Sequence, residues 1–205
     1  MPAPHRSRAC LCALSGAIVA LPAFVLATGH LVVHRLLPPQ TLQLQNRVSR
    51  EDSVRATKSS DRETVVAGIF AVSSRALFDA ITRPEHLRHW MSADGMTLED
   101  VEVDPRIGGR FRYVFRRPSG RTIEVRGDYR TFDPPRGFAY LETYDFSPLT
   151  IEVTTALEEA GDATRFTQTL RYASSRERDD DFEAVATSSR EAYAKLARYL
   201  ASRAP

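Results

Sequence analysis

Cysteine is almost absent from this chain of 205 residues: Cys10 and Cys12 are the two it has, both near the start. Everything after them is without a disulfide staple, a thiol nucleophile or a cysteine-ligated metal. Histidine is as scarce, with only His86 and His89 beyond residue 61, whereas a metal centre normally needs three or four converging ligands. An excess of one charge is missing as well. Seven of the 28 Lys/Arg and three of the 26 Asp/Glu precede residue 62, which leaves 21 basic against 23 acidic residues in the remainder. That near-neutral mixture has no basic footprint for nucleic acid. No internal repeat is visible, and no glycine-rich loop leads into a helix to cradle phosphate. Gly108-Gly109 opens a strand, where glycine serves a tight turn. Neither a metal nor a cofactor is implied.

One long apolar run stands out instead. His5, Arg6 and Arg8 precede Leu11–Val33, 23 uncharged residues interrupted by Pro22, Gly29 and His30, with His34 and Arg35 beyond. At about 1.5 Å per helical residue the run has the length to span a bilayer core. Three readings stand beside one another. Residues 1–37 form a single-pass anchor, or a signal-like segment cleaved after Ala27, or the product of a start placed too early. The last follows from the absence of Met between Met1 and Met91, with Val48 or Val54 as later starts. The first predicts a transmembrane helix and a membrane location, the last a cytoplasmic protein. Residues 38–61, polar and rich in Ser, Arg and Gln, read as a linker.

Residues 62–205 carry the periodicities of a folded domain. Glu63–Val72 is a β-branched run suited to a strand, and Ser73-Ser74 can cap the helix that Leu77, Phe78 and Ile81 mark out. Pro84 starts a second short helix with Leu87, Trp90 and Met91. From Leu98 the period becomes two. Phe111, Tyr113 and Phe115 alternate with Arg110, Arg112 and Arg116, and Ile123, Val125, Gly127 and Tyr129 alternate with Glu124, Arg126, Asp128 and Arg130. This pattern suits an antiparallel sheet with one wet face. Asp133-Pro134-Pro135 and Gly161-Asp162 turn the chain between the later strands Phe138–Tyr144, Thr150–Leu157 and Thr164–Tyr172. A closing helix follows, with Asp179–Asp181 near its positive end and a stripe of Phe182, Val185, Ser189, Ala192, Leu196 and Tyr199. The fold class is α+β.

The segment Thr82–Phe115, TRPEHLRHWMSADGMTLEDVEVDPRIGGRFRYVF, joins a helix ending in Trp90 to a strand through Asp104-Pro105 and Gly108-Gly109. In that order of elements the domain resembles the START-like, or SRPBCC, superfamily. Within it the domain is most similar to the branch related to the C-terminal domain of the activator of heat-shock protein 90 ATPase. The resemblance implies a helix-grip fold: a curved antiparallel sheet wrapped around a long C-terminal helix, two short helices after the first strand, and a cavity between sheet and helix.

Parity points Phe111, Tyr113, Phe115, Tyr129, Phe138, Tyr140, Phe166 and Tyr172 toward the closing helix, with Trp90 and Tyr193 capping the space. Aromatics with a few polar groups line small-molecule sites, and at strand spacing they also build plain core. Glu142 and Gln168 share the inward parity. Relatives often carry an apolar side chain at the place matching Glu142. There it is either a buried acid that must be paired, hydrogen-bonded or protonated, or a wet or arginine-neutralised group at a strand end. His86 and His89 belong on the rim. The expected ligand-contacting set is Trp90, Phe111, Tyr113, Phe115, Tyr129, Tyr140, Glu142, Phe166, Gln168 and Tyr193, with no catalytic residue. The function this implies is binding of a small apolar or aromatic ligand rather than catalysis. The resemblance also allows a co-chaperone-like interaction, or weak cyclase- or hydrolase-type chemistry on a hydrophobic substrate.

Overall fold

In the computed structural model, which describes residues 54–91 and 96–203, the period-two segments pair into one eight-stranded antiparallel sheet. Its strands are β1 (Arg55–Ser60), β2 (Glu63–Phe70), β3 (Thr97–Val103), β4 (Arg110–Arg116), β5 (Thr122–Asp133), β6 (Gly137–Tyr144), β7 (Thr150–Ala160) and β8 (Ala163–Arg171). They lie in the order β1-β2-β8-β7-β6-β5-β4-β3. Helices α1 (Ser74–Thr82) and α2 (Pro84–Trp90) follow β2, and α3 (Ser175–Ala201) closes the chain. The sheet curves around α3, which makes this the α+β fold expected from the order of elements, in the helix-grip form that the resemblance implies.

Local chemistry explains the breaks. The Ser73 hydroxyl accepts from the Ala76 N–H at the start of α1, and Pro84 occupies the first turn of α2, where its missing N–H costs nothing. The Ser174 hydroxyl caps α3 through the Glu177 N–H. Gly108 turns the chain before β4 at a φ of 76°. A Cβ on Gly109 would lie 2.1 Å from the Asp104 carbonyl, so both glycines are demanded by the turn.

Three expectations change. First, Arg55–Ser60, read from the sequence as the tail of a linker, pairs antiparallel with β2 as an edge strand. Its mostly polar, exposed side chains give the strand no apolar alternation. Second, among the described residues no helix is long and apolar enough to cross a membrane. The transmembrane helix and the membrane location are therefore withdrawn; Leu11–Val33, on which they rested, lies outside the described residues. Third, the buried stripe of α3 runs through Arg178, Asp181, Val185, Ser188, Ser189, Tyr193, Leu196 and Leu200. It keeps Val185, Ser189 and Leu196 and is wider than the sequence reading, with Phe182, Ala192 and Tyr199 half-buried. The wider stripe includes Asp181.

Candidate functional site

Strand register brings the inward side chains into rows. On the row through Glu142, Phe111 faces Gly127, Gly127 faces Glu142, and Glu142 faces Ile151. Gly127 carries no side chain, and the Phe111 ring fills that place: a Cβ there would lie 2.1 Å from Phe111 Cε1. Phe111 stacks on Tyr113 at 4.6 Å and meets Tyr140 edge-on at 4.9 Å. Tyr129 packs edge-on against Phe111, Phe138 and Tyr140. All are buried. Phe115, 1% exposed, belongs to the same hydrophobic core.

Glu142 is 2% exposed, so the wet strand-end reading fails and the inward parity holds. The Tyr144 hydroxyl donates to its Oε1. On β8, Gln168 is also buried. Its Oε1 accepts from the Tyr193 hydroxyl at 3.0 Å, and its Nε2 lies 3.5 Å from Thr155 Oγ1 on β7. Tyr193 is held by Phe166 at 4.7 Å and by Trp90, stacked at 6.1 Å. Trp90 itself is anchored, its Nε1 donating to the Ala80 carbonyl at 3.0 Å. Trp90, Phe166, Gln168 and Tyr193 thus form one side of the site, and Phe111, Tyr113, Tyr129, Tyr140 and Glu142 another.

A further acid completes it. Asp181, 2% exposed, faces the sheet from the second turn of α3, and the Tyr172 hydroxyl donates to its Oδ2 at 2.8 Å. Its Oδ1 is buried without a partner, as is the hydroxyl of Ser189 two turns on. The sequence alone places Asp181 among acids serving the helix dipole. The stripe read from the sequence already points to Asp181, which lies four residues before Val185 and five full turns before Tyr199.

The electrostatics follow from the burial. Desolvation pushes the Tyr113, Tyr144, Tyr172 and Tyr193 phenols up, and the charge of Glu142 pushes each of them further. Their protons are retained, and Tyr144, Tyr172 and Tyr193 donate them to Glu142, Asp181 and Gln168. Burial also raises the Asp181 carboxyl from 3.8 to about 7, opposed by the Tyr172 hydrogen bond and reinforced by Glu142. The charge of Glu142 thus weighs against a charge on Asp181.

The remaining polar groups lie elsewhere. His86 is half-buried, with Nδ1 2.7 Å from the Tyr199 hydroxyl, and His89, exposed, stacks on the same ring at 5.1 Å. Both tie α2 to the end of α3 and stand at the rim. An open groove of about 610 Å³ runs along the outer sheet face by Glu102, Arg110, Arg112, Arg126, Asp128 and Thr143. Its arginines are already paired, Arg110 with Asp128, Arg112 with Asp100 and Glu124, and Arg126 with Glu124. Among the described residues no cluster of three His, Cys, Asp or Glu forms a metal site.

Comparisons agree with this fold. The family model described as "Activator of Hsp90 ATPase homolog 1-like protein" matches residues 71–201. A crystallised protein from Rhodobacter sphaeroides is 29% identical with a TM-score of 0.70, and the match covers 73% of this chain and 98% of that one. A crystallised protein from Nitrosomonas europaea is 18% identical with a TM-score of 0.65, covering 72% and 99%. One from Mycobacterium smegmatis is 19% identical with a TM-score of 0.60, covering 73% and 97%. The last two speak for the fold alone. No curated protein matches the chain.

Proposed function

The chain belongs to the Activator of Hsp90 ATPase homolog 1-like family, a START-like branch, and from that premise we propose that it binds a small, largely apolar or aromatic ligand between the sheet and α3. The observation that carries this reading is the composition of that interior. Aromatic rings from β4, β5, β6 and β8 share it with Glu142, Gln168 and Asp181, and two polar atoms there, Asp181 Oδ1 and Ser189 Oγ, have no protein partner. A core built only for stability does not bury polar groups unsatisfied, because each costs about 1–3 kcal/mol. A ligand that spends its apolar surface on the rings and its polar group on these atoms accounts for both. Tyr113, Tyr129 and Tyr140 supply faces and edges, whereas Trp90, Phe166 and Tyr193 close the other side.

Trp90 is the chain's one tryptophan and stacks on Tyr193, so it reports on the site directly. Titration with N-phenylnaphthylamine should give saturable energy transfer from Trp90 at one probe per protein. Transfer that rises linearly without saturating, or no transfer, defeats the proposal. Native mass spectrometry of protein from its own cells then identifies the natural occupant. The family description favours one further reading, an interaction with heat-shock protein 90. Retention of that chaperone on the immobilised protein, undisturbed by saturating probe, would place the interaction on a different surface.

A further inference from the structure

The sheet has two edges, β1 and β3, and they are built differently. β3 carries the devices that keep an edge strand from recruiting another chain. A bulge breaks its register between Leu98 and Asp100, the acids Glu99, Asp100 and Glu102 lie along it, and the Val101 N–H is spent on Asp100 Oδ1 at 3.0 Å. β1 lacks them from Arg55 to Lys58: it has no proline, its register shifts only after Lys58, and Arg55, Thr57 and Lys58 are exposed. The lysine that would guard this edge is tied to α3. Its Nζ lies 2.5 Å from Asp179 Oδ1 and 4.9 Å from the centre of the Phe182 ring. Phe182 is half-buried and stands outside the hydrophobic core cluster.

Register fixes which backbone groups of β1 point outward. The Tyr172 N–H donates to the Arg62 carbonyl at 2.9 Å, so even-numbered residues of β2 bond β8, whereas Glu63, Val65 and Ala67 bond β1. Thr57, opposite Val65, and Arg55, opposite Ala67, therefore spend their N–H and C=O on β2. Ala56 and Lys58 turn theirs outward, and among the described residues no strand takes them. We propose that this edge pairs antiparallel with β1 of a second copy of the chain, about a twofold axis through Thr57, joining two sheets into one. Opposed side chains share a face, so a twofold pairing can be centred only on a residue. Centring it on Lys58 would oppose two ammonium groups. Centring it on Thr57 sets Thr57 against Thr57, Ala56 against Lys58 and Arg55 against Ser59, with no like charges opposed. The outward N–H and C=O of Ala56 then meet those of Lys58 in the second copy, which satisfies both. The same axis puts both Phe182 rings on one face of the joined sheet, beside the seam. That self-complementarity favours a second copy over a foreign strand.

A seam this short buries little area, so the association is weak. Sedimentation of the full chain should show monomer at about 1 µM and dimer at about 100 µM. Ala56→Pro removes an outward N–H, which an edge strand tolerates. It should abolish the dimer while circular dichroism keeps the wild-type strand signature. Thr57→Cys, in a chain that also carries Cys10→Ser and Cys12→Ser, places two thiols at a non-hydrogen-bonded pair. Cα atoms there lie about 4.5 Å apart, within reach of a disulfide. Mild oxidation should link this variant into a covalent dimer on non-reducing gels, whereas Glu102→Cys on β3, in the same background, should stay unlinked. A chain that stays monomeric at about 100 µM, with Thr57→Cys unlinked, overturns the proposal. The edge is then covered by residues 1–53 or kept for an extended peptide of another protein. A dimer that Ala56→Pro leaves intact, or equal linking through Glu102→Cys, overturns it too. If Ala56→Pro does not fold, linking at Thr57→Cys against Glu102→Cys decides by itself.

Discussion

Replacing Asp181 with asparagine exposes the cost of the buried acid. In the unfolded chain this carboxyl ionises near 3.8, and in the folded protein near about 7. Between those values the folded state keeps a proton that the unfolded state gives up, so stability falls as pH rises. The contribution is fully present below 3.8, declines by about 1.4 kcal/mol per pH unit across the window, and has cost about 4 kcal/mol above 7. The asparagine amide does not titrate. At about pH 8 the variant should recover that cost, less about 1–3 kcal/mol because its amide N–H meets the same unpartnered surroundings as Oδ1. The net expectation is a gain of about 1–3 kcal/mol near pH 8 and a loss of similar size near pH 4, so the two stability curves cross. Urea unfolding followed by Trp90 fluorescence measures both, and taking the difference cancels every group the two proteins share. Parallel curves for wild type and variant across this range would refute the placement of Asp181 and the burial argument with it.

Gly127→Ala puts a Cβ where the Phe111 ring lies; the ring must leave its place beside Glu142, and thermal unfolding should show a loss of about 1–3 kcal/mol. Tyr193→Phe keeps the packing on Phe166 and Trp90 but strips Gln168 Oε1 of its donor, which should cost about 1–3 kcal/mol in chemical denaturation. Leu196→Ala, at a fully buried position of α3, should cost about 2–5 kcal/mol and loosen the helix from the sheet, read as faster amide exchange in α3. Burial and the nearby Arg203 hold His86 below 6.5. Its contribution is present above 6.5 and lost as pH falls, and an NMR titration should find its midpoint below that of a free imidazole.

Strand alternation, helix caps and the Asp-Pro and Gly-Gly turns were all legible along the chain, because each depends on residues within one or two periods of one another. They suffice for the α+β order of elements and for the inward parity of Phe111, Tyr113, Tyr140, Glu142 and Gln168, whereas the helix-grip form came from the family resemblance. Arg55–Ser60 was not legible as a strand because an edge strand exposed on both faces carries no apolar alternation. What only the tertiary structure decided is who meets whom. Whether Glu142 is wet or buried depends on the neighbouring strands, and Gly127 matters because register sets it between Phe111 and Glu142. Asp181 is the sharpest case. Along the sequence it is one of three consecutive acids at a helix start, where a dipole explains them all. About 100° of helical rotation per residue sends Asp179 and Asp180 to solvent and Asp181 to Tyr172 and Glu142. Burial is a property of that rotation against a particular sheet, and it turns an ordinary surface acid into a proton-holding group at the centre of the fold.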